Sequence, residues 1–205
     1  MRRLALVPLL VLASCGRPEP ARSAADAAVV APAPAPGAAP ASSSAPAPPP
    51  PADPGALPQT RDRPRADGSA FDARVAALWA GIVTDDPGRA LPAFFPLSAY
   101  RQVKAVRDPE RDWRRRLVGA YGRDLHALHA ALGPGAARAR LLGLEVPAAR
   151  ARWVEPGEEW NRLGYYRIFG SRLRYTLDGR ERTIPVRSLI SWRGEWYVVH
   201  LSAMK

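Results

Sequence analysis

Fifteen of the 23 prolines lie before Ala66, and all six tryptophans lie after it. Proline lacks a backbone N–H and fixes φ, so a proline-dense stretch enters neither a helix interior nor a sheet ladder. Runs such as Ala31-Pro32-Ala33-Pro34-Ala35-Pro36 and Pro48-Pro49-Pro50-Pro51 exclude regular structure. The surrounding Ala and Ser leave almost nothing apolar to offset the entropy of ordering. Residues 15–66 therefore read as a disordered tether. Polyproline II rises about 3.1 Å per residue, which gives a reach on the order of 150 Å at full extension. A proline-rich ligand for a groove-type domain is the alternative use of such a stretch. Residues 67–205 remain, enough for one core.

Ahead of the tether, Arg2 and Arg3 precede an apolar run from Leu4 to Leu12. That run is too short for a bilayer span, which needs about 20 residues, and suits a signal peptide. It ends in Leu12-Ala13-Ser14-Cys15, followed by Gly16. This stretch resembles the lipobox of bacterial lipoproteins. The resemblance implies a signal peptide over 1–14, cleavage between Ser14 and Cys15, and diacylglycerol plus an N-acyl chain such as palmitate on Cys15. An exported protein with an incidental cysteine is the rival reading. Two acyl chains anchor stably, at about 0.8 kcal/mol per buried methylene. Gly16 in place of Asp favours the outer membrane if the cell is Gram-negative. The expected location is the cell envelope, with the membrane as a partner through the lipid.

The same residue limits the chemistry of the rest. Cys15 is the only cysteine, so residues 67–205 hold no disulfide and no thiolate metal site. No cofactor is expected. The net charge is +11, and residues 67–205 carry 21 Arg and 2 Lys against 15 acidic residues, about +8. Export takes nucleic acid off the partner list. The anions outside the cytoplasm are lipid headgroups, lipopolysaccharide and cell-wall polymers. A GC-rich genome also writes arginine freely, so both origins of the surplus stay open.

After the tether the apolar period is helical. Ser69 is placed to cap a helix with Phe71, Val75, Leu78, Trp79 and Ile82 on one stripe. Thr84-Asp85-Asp86-Pro87 reads as an acidic cap with proline at the first helical position. A further helix is expected over Ser98–Val106. Asp108-Pro109 then opens a long helix over 109–132, with an apolar face of Trp113, Leu117, Tyr121, Leu125, Leu128 and Leu132. Glu110/Arg114 and Asp112/Arg116 are i, i+4 pairs on it.

From Arg138 the period changes to two. Leu142, Leu144 and Val146 alternate, and short and long strands follow over Ala151–Glu155 and Trp160–Leu177. Gly164 and Gly170 mark bends. Asp178-Gly179 and Arg193-Gly194 are two-residue hairpin signals. The second turn sets Ile190 opposite Tyr197 and Arg187 opposite His200. Val186, Ile190, Trp192, Tyr197, Val199 and Leu201 then share one face, with Leu189, Trp196, Val198 and His200 on the other. The expected class is α+β: N-terminal helices packed on a C-terminal antiparallel sheet. That order, with the Trp-containing terminal hairpin, is similar to the cone-like fold of nuclear transport factor two-like and SnoaL-like domains. A cystatin-like packing fits the same order. The first resemblance implies a cavity between helices and sheet, with catalytic and non-catalytic members.

Several residues are candidates for chemistry. Asp124, His126 and His200 could do acid–base work in such a cavity, with Tyr100, Tyr165 and Tyr166 as lining. His126 and His129 share one side of a helix and could contribute to a metal site, though no third ligand is evident. Arg114, Arg115 and Arg116 form a possible anion contact. Phe94 to Lys104, with Asp108, Asp112 and Trp113, is either a recognition surface or a junction that satisfies its own hydrogen bonds. No catalytic motif stands out. The leading expectation is a non-catalytic envelope lipoprotein that binds a partner protein or an anionic envelope polymer. The alternative is a small-molecule enzyme or ligand binder.

Overall fold

The computed structural model describes Asp53 and residues 55–201. The lipobox, Cys15 and most of the expected tether lie outside the described residues. The class is α+β, with helices first and an antiparallel sheet after them.

Helix α1 spans Ser69–Thr84 and buries Phe71, Val75, Leu78, Trp79 and Ile82. Ser69 does not cap it. Gly68 occupies the cap position at φ 90°, with no side-chain bond, and Ser69 is the first helical residue. The short helix α2, Pro87–Ala90, is capped as its sequence predicts: the Asp86 carboxylate accepts from the Gly88 and Arg89 amides. Gly81 lets α1 and α2 touch, since a Cβ there would sit 2.5 Å from the Ala90 Cβ. Helix α3 covers Leu97–Val103 and stops short of the expected end.

The long helix is continuous but not uniform. It begins as α4, Pro109–Asp112, with Asp108 accepting from the Arg111 amide. It widens into a π-helical stretch over Trp113–Val118 and ends as α5, Gly119–Leu132. On an ideal α-helix each four-residue step drifts about 40°. The wider π turn takes back part of that drift, which keeps Trp113, Leu117, Tyr121 and Leu125 facing the core.

The sheet has strands β1 (Arg140–Glu145), β2 (Arg152–Val154), β3 (Tyr165–Leu177), β4 (Arg180–Trp192) and β5 (Glu195–His200). Its order is β1-β3-β4-β5, with β2 pairing beside the other end of β3. Asp178-Gly179 and Arg193-Gly194 form the two hairpin turns with positive φ at both residues, as a two-residue turn requires.

Two bulges correct the expected register. In β1 the pairing shifts between Leu141 and Gly143, which turns Leu142 outward at 51% exposure. Leu141 and Leu144 face the core instead. In β5, Leu189 pairs with Val198 but Ser188 pairs with His200, leaving Val199 as the extra residue. Arg187 therefore does not face His200. Both sides of this corner are covered. Leu189, Trp196 and Val198 meet α1 residues Phe71, Val75 and Leu78, while the Phe95 ring packs edge-on to Trp192 and Tyr197.

Residues 55–65, expected to be the end of the tether, lie along the folded region. Gln59 Nε2 donates to the carbonyls of Gly164 and Ser191, and its Oε1 accepts from the Arg193 amide at 2.8 Å. Arg61 and Arg63 lie over the rings of Trp153 and Tyr166. Pro64 is buried. The prolines are tolerated because side chains hold most of this strap. Among the described residues its backbone pairing is confined to a single bridge at Arg65, whose amide donates to Gly194 O at 3.1 Å.

Candidate functional site

Between α3, the π-helical stretch and the sheet lies a partly enclosed cleft of about 180 Å³. That exceeds the ~150 Å³ cavity that admits a benzene. The helical side contributes Phe95, Tyr100, Lys104, Arg116 and Leu117. Strands β3, β4 and β5 contribute Tyr165, Arg167, Phe169, Ser188, Ile190, Val199 and His200, and the loop before β3 contributes Glu159.

Two ion pairs frame it. Asp112 accepts from Arg116 Nε at 2.8 Å and Nη2 at 2.7 Å, and from the Tyr100 hydroxyl. Arg116 Nη2 also reaches the Tyr100 oxygen at 3.0 Å. The guanidinium of Arg116 holds the Asp112 carboxyl down to about 2, while burial and the Asp112 bond push the Tyr100 phenol up. On the opposite side Glu159 pairs with Arg167 and accepts from the Tyr165 hydroxyl at 2.7 Å. Burial and then the charge of Glu158 push Tyr165 up to about 12.

Lys104 lies between the pairs. Its Nζ donates to the backbone carbonyl of Glu159 at 2.8 Å and stands 5.9 Å from the Tyr165 ring centroid. Burial, and then the charge of Arg116, push its pKa below the ordinary lysine value. At the sheet end Ser188 Oγ and His200 Nδ1 are 2.9 Å apart. Burial, followed by the charges of Arg187, Arg116 and Lys104, holds His200 below its ordinary value.

A single buried side chain ties down the loop wall. Asn161 Oδ1 accepts from the Glu159 amide, and Nδ2 donates to the carbonyls of Glu155 and Leu163. The same loop is zipped to the end of α3. The Arg162 amide donates to Val103 O, and the Ala105 amide donates to Trp160 O.

The expected site residues separate in space. His200 joins the cleft because the β5 bulge carries it round beside Ser188. Tyr100 and Tyr165 line it, whereas the Tyr166 ring packs edge-on to Trp153. Asp124, half-buried on α5, and His126 lie outside the cleft. His126 Nδ1 is 2.8 Å from Asp85, and His129 Nδ1 is 3.0 Å from the Ile82 carbonyl. The two histidines thus have separate partners, and no metal-binding cluster occurs among the described residues. Of the arginine run, Arg114 pairs with Glu110, Arg115 is exposed, and Arg116 reaches the cleft. The segment from Phe94 to Lys104 walls the cleft and is tied to the long helix, where Trp113 Nε1 donates to Phe95 O at 2.8 Å, while Ser98 Oγ is buried without a partner among the described residues.

Lys104 without a carboxylate partner among the described residues, Glu159, Arg167 and Ser188 were not anticipated. One signal was present for the first. Lys104 is one of only two lysines among 30 basic residues.

The Asp112 pair gives a direct check. Its folded pKa, about 2, lies below the ordinary 3.8. Its contribution, on the order of 1–2 kcal/mol after allowing for solvent screening, is therefore complete above pH 4 and lost as pH falls toward 2. Asp112→Asn is expected to remove that acid-limb dependence in urea melts compared with the unsubstituted chain.

The chain matches no protein family, no curated protein and no solved structure with which it was compared.

Proposed function

We propose that this chain is an envelope lipoprotein, lipidated on Cys15, whose folded region binds a small molecule in the α3–sheet cleft without transforming it. The observation that carries the reading is the cleft itself: apolar walls from Phe95, Leu117 and Ile190 with a few convergent polar groups. Its volume suits a small molecule rather than a polymer or a protein segment. Gly16 after the lipidated cysteine favours the outer membrane of a Gram-negative cell.

The case against catalysis is the state of its titrating groups. Asp112 and Glu159 are held in ion pairs, and both phenols are pushed upward. A general acid or base works best with a pKa near the operating pH. His200 is the one imidazole on the cleft among the described residues; burial holds it below its ordinary value, and no carboxylate is bonded to it there. The Ser188–His200 contact is the one observation that favours a hydrolytic reading; such a pair needs a third group to orient the histidine.

A fragment library titrated against the isotope-labelled protein tests the reading. Amide shifts are expected at Ser188, Ile190 and Val199. Shifts confined to other surfaces would contradict it.

A further inference from the structure

We propose that the cleft takes a small monoanion: a carboxylate on an apolar or aromatic body, with the carboxylate at Lys104 and the body against Phe95, Leu117 and Ile190. This rests on the ligand-binding reading of the cleft and names its ligand class.

Arg116 is matched by Asp112 through two nitrogens. Arg167 is matched by Glu159. Lys104 is different. Its one hydrogen bond goes to a backbone carbonyl, and it has no carboxylate partner among the described residues. Among the described residues that line or frame the cleft, three cations therefore face two carboxylates; Glu158, whose charge also reaches Tyr165, is itself paired with Arg152. The unmatched charge is half-buried on Lys104, where an unpaired ion is costly.

A ligand with one negative charge supplies the missing counter-ion. An ammonium has three donors, and the carbonyl takes one, so two remain for a carboxylate. A phosphate dianion overcompensates a single cation. A cationic ligand adds a fourth positive charge. The body of the ligand meets apolar surface, because the Tyr100 and Tyr165 hydroxyls already donate to Asp112 and Glu159. The pKa direction at Lys104 agrees: burial and then Arg116 disfavour its charged form, Asp112 only partly opposes them, and a bound anion favours it.

The test uses the full chain carrying Cys15→Ser, with benzoate, 4-phenylbutyrate and 2-naphthoate, each against its carboxamide. The carboxylates are expected to shift cleft amides at concentrations about tenfold lower than the carboxamides do, a charge-assisted bond's worth of affinity. Lys104→Met is expected to erase that preference, acid and carboxamide then binding alike, and Lys104→Arg to restore most of it. Equal affinity for acid and amide would overturn the monoanion assignment while leaving the cleft reading in place. A preference that survives Lys104→Met would overturn it too. If no probe shifts the cleft amides, the cleft reading itself fails. Circular dichroism of Lys104→Met distinguishes lost charge from lost fold, and Lys104→Arg decides the matter if the methionine variant unfolds.

Discussion

Asn161→Ala is expected to cost about 3 kcal/mol, because a buried unpaired backbone group costs about 1–3 kcal/mol and the substitution frees three of them. Asn161 is 2% exposed and joins the Glu159 amide to the Glu155 and Leu163 carbonyls. Partial access of water to Glu155 and Glu159 keeps the total below the sum of three full penalties. For a domain of this size the melting temperature should fall on the order of 10 °C. The damage also reaches the cleft, since Glu159 anchors both Arg167 and Tyr165. The neighbouring residue supplies the control. Trp160 is 80% exposed and sits at φ 56°, where a side chain is strained. Trp160→Gly should be neutral or slightly stabilising. Thermal melts of both variants check the pair; a Trp160→Gly loss as large as that of Asn161→Ala would show that the loop is held by something other than Asn161.

Cys15→Ser should move the protein from membrane to soluble fractions. The lipid is the proposed anchor, and no described helix is long and apolar enough to cross a membrane. Two or more acyl chains make dissociation negligible. Fractionation with metabolic palmitate labelling checks it: the unsubstituted chain takes up label and pellets, and the variant does neither. A variant that still pellets after a carbonate wash would sink the lipoprotein reading.

Much of the fold was legible because local chemistry decided it. The stripe from Phe71 to Ile82 needed only a period of 3.6, and Asp86-Pro87 and Asp108-Pro109 carried their own caps. Asp178-Gly179 and Arg193-Gly194 marked the hairpins because both residues of each turn take positive φ. The bulges at Leu142 and Val199 were hidden, since alternation reads the same with or without one extra residue. The strap over 55–65 was hidden as well, because its prolines spoke against ladders but not against side-chain anchoring by Gln59.

The site was less legible for a related reason. Lys104, Glu159 and Arg167 come from a helix end, a loop and a strand, and only the tertiary fold brings them together. His126 and His129 showed the opposite case: their spacing put them on one side of α5, but Asp85 and the Ile82 carbonyl supply them with separate partners.

Among the described residues the cleft holds one cation without a carboxylate partner, Lys104. The chain has two lysines, Lys104 and Lys205, so isotope-labelled lysine gives two side-chain signals, and Lys205→Arg assigns them. Lys104 should titrate below the ordinary 10.5 and move upward when 4-phenylbutyrate is added. A Lys104 signal that titrates at the ordinary value and ignores the carboxylate would contradict the account.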